Sequence, residues 1–147
     1  MHYLRLAFAL LALALLTPTV HAAENEYTEP AFGVHLRSYH EPARGFNNVN
    51  PGVYFRLRSG FQAGLLENSL NRGTLYVGQS WAFQKVDVML GVATGYPGAV
   101  LMPMAAVSTL FPLTQHHSLR LAALPAWSQG KPALVVHAMF EIQLTDN

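Results

Sequence analysis

The sequence predicts an all-β protein, an eight-stranded antiparallel up-and-down β-barrel that crosses a membrane. The chain of 147 residues is 51% hydrophobic, yet only 12% of its residues are charged and none is cysteine. Breaks rich in Gly, Pro, Asn and Ser recur about every ten residues along most of the chain. Between the breaks, apolar residues alternate with polar ones. This alternation is typical of strands that turn one face toward lipid.

Residues 1–22 have the pattern of a secretory signal peptide. Arg5 precedes an apolar run from Leu6 to Leu16, and Val20 and Ala22 supply the side chains expected before a cleavage site. The apolar run is shorter than the roughly 20 residues that a membrane-spanning helix needs. We therefore expect residues 1–22 to be removed and residues 23–147 to form one barrel domain in the outer membrane of a Gram-negative bacterium.

Seven breaks divide the barrel domain into eight predicted strands. Most of these segments have close to the roughly 9 to 11 residues that a tilted strand needs to cross a bilayer. None of them shows a sustained helical period of 3.6 residues. The predicted strands are residues 31–40, 50–58, 61–69, 74–83, 86–95, 100–111, 118–127 and 133–144.

One face of these strands is almost uncharged, whereas the opposite face holds most of the charged side chains. A soluble lipocalin-like barrel would have an apolar lumen and a charged exterior. An outer-membrane barrel has the reverse arrangement, which fits this sequence. Eight strands leave an interior just wide enough for side chains. We therefore predict a packed polar core rather than a channel, formed by Arg37, Arg56, Arg58, Asp87, Arg120 and Glu141.

The composition also argues against several classes of function. The lack of cysteine excludes a disulfide scaffold and a cysteine-ligated metal or iron–sulfur site. A net charge of +1 provides no basic field for nucleic acid. We predict no cofactor. We also predict no metal site, because the sequence offers no third ligand for the pair His116 and His117. We also expect a monomer.

Residues 60–81 resemble a hairpin of the lipid A palmitoyltransferases (PagP) of Gram-negative outer membranes. In that family the hairpin carries an Asp-Ser dipeptide, an Asn two residues later, and a Gly and a Trp at the spacing of Gly78 and Trp81. The segment from Val34 to Arg37 is similar to the family's His-x-Arg on the first strand. The resemblance extends over about residues 33 to 144 at low identity, and the family's N-terminal amphipathic helix has no counterpart here.

This resemblance implies an enzyme that transfers an acyl chain from a phospholipid to lipid A at the outer leaflet. Its partners would be lipid A or phospholipid, among the lipids of the outer membrane. Carried over residue by residue, the catalytic histidine falls on His35, the serine on Ser69 and the aspartate on Asn68. Asn68 cannot ionise, so it cannot stabilise an imidazolium as a carboxylate does. It would instead orient the histidine or donate to an oxyanion.

His40 is a second candidate for the general base. If both termini are periplasmic, His40 and Ser69 lie at similar heights near the outer rim. His35 lies about 13 Å lower, at ~3.3 Å per residue and a tilt of about 40°. His40 also resembles the histidine before the Asn-rich loop of lipid A deacylases, although Pro42 stands where their serine is expected. An esterase of that kind is therefore an alternative.

The loop over residues 41–50 carries polar side chains suited to phosphates and sugar hydroxyls. Arg44 and Arg72 would form a phosphate clamp, because a guanidinium matches phosphate oxygens in a fork. Asn47 and Asn48 would contact sugar hydroxyls. The remaining alternative is a non-catalytic small outer-membrane barrel, structural or surface-binding, that keeps the scaffold without the catalytic acid.

Overall fold

The computed structural model describes residues 27–41, 45–128 and 131–145, and these form a closed barrel of eight antiparallel strands. Each strand pairs with its neighbours in sequence, and the first pairs with the last to close the sheet. The predicted fold class is therefore confirmed. The predicted signal peptide lies outside the described residues. The strands are β1 (Ala31–Glu41), β2 (Val49–Arg56), β3 (Phe61–Glu67), β4 (Gly73–Phe83), β5 (Val86–Ala93), β6 (Met102–Pro112), β7 (His117–Ser128) and β8 (Lys131–Gln143).

Turn chemistry explains why the strand bounds agree with the predicted ones to within two residues. Gly60, in the β2–β3 turn, has a φ of 85°, which glycine adopts without steric cost. Asn71, in the β3–β4 loop, has a φ of 56°, in the left-handed region that asparagine tolerates. A left-handed residue, Gln84, also starts the two-residue β4–β5 turn. These breaks in the sequence pattern are thus the points at which the chain reverses.

The two ends of the barrel differ in what they carry. Ala31 at the start of β1 pairs with Gln143 at the end of β8. We call this the terminal end, and it also holds the β2–β3, β4–β5 and β6–β7 turns. The opposite end, which we call the loop end, holds the β1–β2, β3–β4, β5–β6 and β7–β8 connections. No helix among the described residues is long and apolar enough to cross a membrane.

The outward face of the barrel is apolar and exposed. Its most exposed strand residues are large aliphatic and aromatic side chains such as Leu65, Leu75 and Leu90. This surface is that of a transmembrane barrel, whose apolar band contacts lipid. Four exposed phenylalanines lie within one residue of the terminal end of their strands. This phenylalanine belt consists of Phe55, Phe61, Phe83 and Phe111.

A β-bulge at Leu36 changes the alternation of β1. His35 pairs with Met139 of β8 and Arg37 pairs with Ala138, so β1 carries one extra residue opposite β8. Leu36 and Arg37 therefore both face outward, and the lumen-facing positions that follow are Ser38 and His40. The prediction that Arg37 belongs to the polar core is wrong, because it assumed an unbroken period of two.

Arg58 also lies outside the polar core, contrary to the prediction. Strand β2 ends at Arg56, and Arg58 lies in the turn that follows, where strand alternation no longer applies. Its guanidinium is exposed and forms an ion pair with Glu29 at 3.0 Å. The pair links the β2–β3 turn to the segment that precedes β1.

Two tyrosines fill the centre of the lumen against glycines of the neighbouring strands. A Cβ atom on Gly33 would lie 1.9 Å from the Tyr54 ring, and one on Gly64 would lie 2.6 Å from the Tyr76 ring. Both phenol rings are almost completely buried. They pack with small or flexible side chains of the other strands, which are Met89, Ala93, Ala106, Ala122 and Met139.

Candidate functional site

Glu141 of β8 is the centre of an ion cluster that spans the lumen near the terminal end. One of its carboxylate oxygens accepts a hydrogen bond from Arg56 of β2 at 2.8 Å. The other accepts from Nε of Arg120 of β7 at 2.9 Å and from the Tyr54 hydroxyl at 2.6 Å. Arg120 continues the cluster to Asp87 of β5. We call these side chains the Glu141 cluster, and they confirm the predicted polar core for Arg56, Asp87, Arg120 and Glu141.

The Glu141 cluster is closed at the terminal end by the residues before β1. The Tyr27 ring lies over Arg56, with 3.5 Å between the guanidinium carbon and the ring centroid. A cation over an aromatic face is attracted by the ring quadrupole. The backbone N–H of Tyr27 donates to the carbonyl of Arg58 at 2.9 Å, which holds this segment in place. Nε and Nη1 of Arg56 are buried and have no hydrogen-bond partner among the described residues.

His35 lies in the middle of the lumen, and both of its ring nitrogens are engaged. Nδ1 is 2.8 Å from Nε2 of His137, and Nε2 is 3.0 Å from the Tyr76 hydroxyl. Its ring also packs against Tyr54, with the centroids 5.3 Å apart. The side chain is 6% exposed. His35 therefore joins β1, β4 and β8 across the lumen and makes no hydrogen bond with Ser69.

His40 lies at the loop end, and it faces the lumen because of the bulge at Leu36. Its Nδ1 is 2.9 Å from the side-chain oxygen of Asn48, and its ring stacks on Phe46 with centroids 4.4 Å apart. Only 3% of its surface is exposed. Of the two candidate bases, His40 is thus the one that the structure places beside the loops.

Asn68 acts as the organising residue of the β3–β4 loop. Its side-chain oxygen accepts from the backbone N–H of Leu70 at 2.9 Å and of Arg72 at 3.2 Å. Its amide nitrogen donates to the Thr74 hydroxyl at 2.9 Å and to the carbonyl of Gly95 at 3.2 Å. All four contacts are within the protein, so the amide oxygen and nitrogen both have structural partners.

Ser69 and Asn47 join the first two loops at the loop end. The backbone N–H of Asn47 donates to the carbonyl of Ser69 at 2.9 Å. The Asn47 side chain donates to Asn71 at 2.8 Å and to Glu67 at 3.3 Å. Ser69 is half-buried, and its hydroxyl forms no hydrogen bond with any residue that the structure describes. Among the described catalytic candidates, Ser69 is thus the one whose side chain has no hydrogen-bond partner within the described residues.

The predicted phosphate clamp is described only in part. Arg72 is exposed in the β3–β4 loop. Arg44 lies outside the described residues, so its relation to Arg72 stays a prediction. The side-chain oxygen of Asn48 contacts His40 instead of facing the solvent.

Sequence reasoning missed two partners of His35 and the role of Asn50. Tyr76 and His137 both belong to the predicted inward face, so the alternation already placed them in the lumen. Which inward side chains meet depends on strand stagger, which the alternation does not specify. Asn50 is fully buried, bonds to Ser38, and donates to the Glu67 carbonyl at 3.1 Å.

The described groups can stabilise a rigid interior, but they do not form a nucleophile and base pair. Such a pair needs a serine hydroxyl within hydrogen-bond reach of an imidazole. His35 contacts His137 and Tyr76, and His40 contacts Asn48. No three His, Asp or Glu side chains of the described residues converge to hold a metal ion.

Comparison with known proteins informs the fold. No family model matches the sequence, and a comparison with curated proteins gives no match. Among solved structures, the chain is similar to a de novo designed protein, TMB2.3, whose structure was determined by NMR in solution. The TM-score is 0.53 at 12% identity, covering 84% of this chain and 99% of the designed one. At that identity the likeness shows the fold alone, and the resemblance to lipid A palmitoyltransferases stays a prediction.

Proposed function

We propose that this chain is a non-catalytic β-barrel of the Gram-negative outer membrane, with a structural role and a lumen sealed by its own side chains. The observation that carries the proposal is the Glu141 cluster. Its ion pairs and hydrogen bonds connect β2, β5, β7 and β8 across the interior. A side-chain network that crosses the lumen leaves no open path for ions.

The hydrogen bonds of the candidate catalytic residues support the same proposal. Asn68 uses its amide to hold the β3–β4 loop, and His35 uses both ring nitrogens inside the barrel. Each of these side chains would have to break internal hydrogen bonds before it could act on a substrate. The two loops joined by Asn47 instead form a polar surface above the apolar band.

Conductance measurement tests the sealed lumen. We expect the full chain, inserted into planar lipid bilayers, to produce no discrete channel openings. The matched variant carries Arg120→Ala and Glu141→Ala, which remove equal and opposite charges from the lumen. Combined with Tyr54→Ala and Tyr76→Ala, which open the centre of the lumen, this variant should conduct if it inserts. Slower migration after boiling in gel electrophoresis checks that it is folded. Regular openings by the wild-type barrel would overturn the proposal.

Acyl transfer or ester hydrolysis at the loop end is the second candidate function. The observation that favours it is the Ser69 hydroxyl, which is uncommitted and belongs to the same rim as His40 and Asn47. In this case His40, rather than His35, would serve as the base. Asn68 could donate to an oxyanion only after releasing Thr74 or Gly95.

Mass spectrometry of lipid A distinguishes the two functions. A Gram-negative host would express wild-type protein, Ser69→Ala, His40→Ala or His35→Ala, with folded barrel confirmed in the outer membrane. Under our proposal, lipid A keeps the same number of acyl chains in all four strains. A change in acyl number that requires Ser69 and His40 but not His35 would establish the enzyme and overturn the non-catalytic proposal.

A further inference from the structure

Arg37 is an outward-facing cation on the wall of the barrel. Among the strand side chains that the structure describes, the outward-facing ionised groups are Arg37, Glu41 and Glu67. Glu41 and Glu67 end their strands, and Glu41 accepts a hydrogen bond from Tyr39. Arg37 makes no ion pair or hydrogen bond with any described residue. It is therefore a cation on the lipid-facing surface that no anion of the described residues neutralises.

The height of Arg37 on the wall differs between its two neighbouring strands. It pairs with Val49, the first residue of β2, and lies next to Asn48 of the β1–β2 loop. Asn48 follows Asn47, which contacts Glu67 at the loop-end tip of β3. A charge on the outer wall costs about 2–4 kcal/mol at the midplane of the bilayer but about 0–1 near the interface. Arg37 is level with the rim on the β2 side, but on the β8 side its partner Ala138 lies seven residues from Lys131, so a bound anion would offset the cost of its charge there.

A groove surrounds this guanidinium. It has a volume of about 330 Å³ and opens on the outer surface between β1 and β8. Its polar side is formed by Arg37, Tyr39 and Asn48, and its apolar side by Val136 and Ala138 of β8. The two sides lie at equal heights, because Tyr39 pairs with Val136 and Arg37 with Ala138. A cation beside an apolar wall matches a lipid, whose phosphate lies next to its acyl chains.

We infer that this groove binds the phosphate group of a membrane lipid, held by the Arg37 guanidinium, with the lipid's acyl chain extending from Ala138 toward Phe140 of β8, away from the loop end. A guanidinium offers paired N–H donors that match two phosphate oxygens. The site differs from the predicted Arg44 and Arg72 clamp, because it lies on the outer wall rather than over the loops. It goes beyond the proposed structural role and does not depend on it.

Lipid titration of the full chain tests the site. The protein would be folded in lauryl maltoside, which has no phosphate, and lipid adducts would be counted by native mass spectrometry. The probes are dioleoyl phosphatidylglycerol and dioleoylglycerol, which share acyl chains but differ in the phosphate headgroup. We expect phosphatidylglycerol to bind more tightly, and Arg37→Gln to weaken it roughly tenfold, about 1.4 kcal/mol.

Two further variants control for charge and for folding. Lys85→Gln removes one exposed cation from the terminal end and should leave binding unchanged. Arg37→Lys keeps the charge without the planar fork and should weaken binding less than Arg37→Gln does. Equal binding by wild type and Arg37→Gln, or equal binding of the two lipids, would overturn the inference. So would full displacement of the lipid by millimolar sodium phosphate, which would indicate a free-anion site instead.

Discussion

At the scale of single residues, Glu141 has the largest structural role in the interior. It is 1% exposed and accepts hydrogen bonds from two arginines and one tyrosine. A buried carboxylate is costly to desolvate, and here the two guanidinium groups offset that cost. Its removal would leave the positive charges of Arg56 and Arg120 in the interior, where Asp87 is the remaining carboxylate of the cluster among the described residues.

We therefore expect Glu141→Gln to lower the free energy of unfolding by about 3–5 kcal/mol, the range for breaking a buried ion pair. Glu67→Gln is the matched control, because Glu67 is exposed and a glutamine oxygen can still accept from Asn47. It should change stability by less than about 0.5 kcal/mol. Urea unfolding of the full chain in lipid vesicles measures both, and equal losses would contradict a central role for the Glu141 cluster.

At the scale of strands, the alternation of the sequence predicted the element bounds well but not the bulge. Apolar residues stand at even positions from Phe32 to Leu36 and next at Tyr39, so the pattern shifts phase after Leu36. The shift rests on one apolar residue, and the pairing with β8 locates the insertion, because Met139 and Ala138 are consecutive but their partners are not. One extra residue reverses inside and outside for the remainder of the strand.

The bulge also decided which part of the candidate site could be predicted. His35, before it, faces the lumen as the regular pattern required. His40, five residues later, would face outward on a regular strand, yet it is buried against Phe46 and Asn48. The bonds between loops, such as that from Asn47 to Ser69, depend on the stagger of distant strands and have no local signal.

A second property of the strands is the close packing of tyrosines on glycines. The Cβ of Gly33→Ala would lie 1.9 Å from the Tyr54 ring, whereas a Cβ on Gly73 meets nothing within 4 Å. Both glycines lie in strands, so their intrinsic preferences are similar. We expect Gly33→Ala to destabilise the barrel by about 1–3 kcal/mol, as overpacking does. Gly73→Ala should be neutral in the same urea experiment, and a neutral Gly33→Ala would show that Tyr54 moves freely.

At the scale of the whole molecule, closure between β1 and β8 converts a sheet with two edges into a barrel with none. Val34 and Phe140 are Cα partners across this seam although they are far apart in sequence. The chain has no cysteine of its own, so introduced cysteines report on one contact only. Cα atoms of antiparallel partners are about 4.5–5.5 Å apart, within the range of a disulfide.

The pair Val34→Cys and Phe140→Cys should therefore cross-link on mild oxidation of the folded full chain. The control pair Val34→Cys and Leu90→Cys places the second cysteine on the outward face of β5, away from the seam. Non-reducing gel electrophoresis of boiled samples would show altered migration for the first pair and not for the second. Failure of the seam pair to cross-link would argue for an open sheet.

The unequal strand lengths have a consequence for the surrounding bilayer. β2 and β3 have 8 and 7 residues, whereas β7 and β8 have 12 and 13. At roughly 2.5 Å of height per tilted residue, the wall is about 20 Å tall at β2 and β3 and about 30 Å at β7 and β8. Hydrocarbon about 30 Å thick matches the second side only. Lipids beside β2 and β3 must compress or the barrel must tilt, so hydrophobic mismatch is concentrated on one side of the molecule.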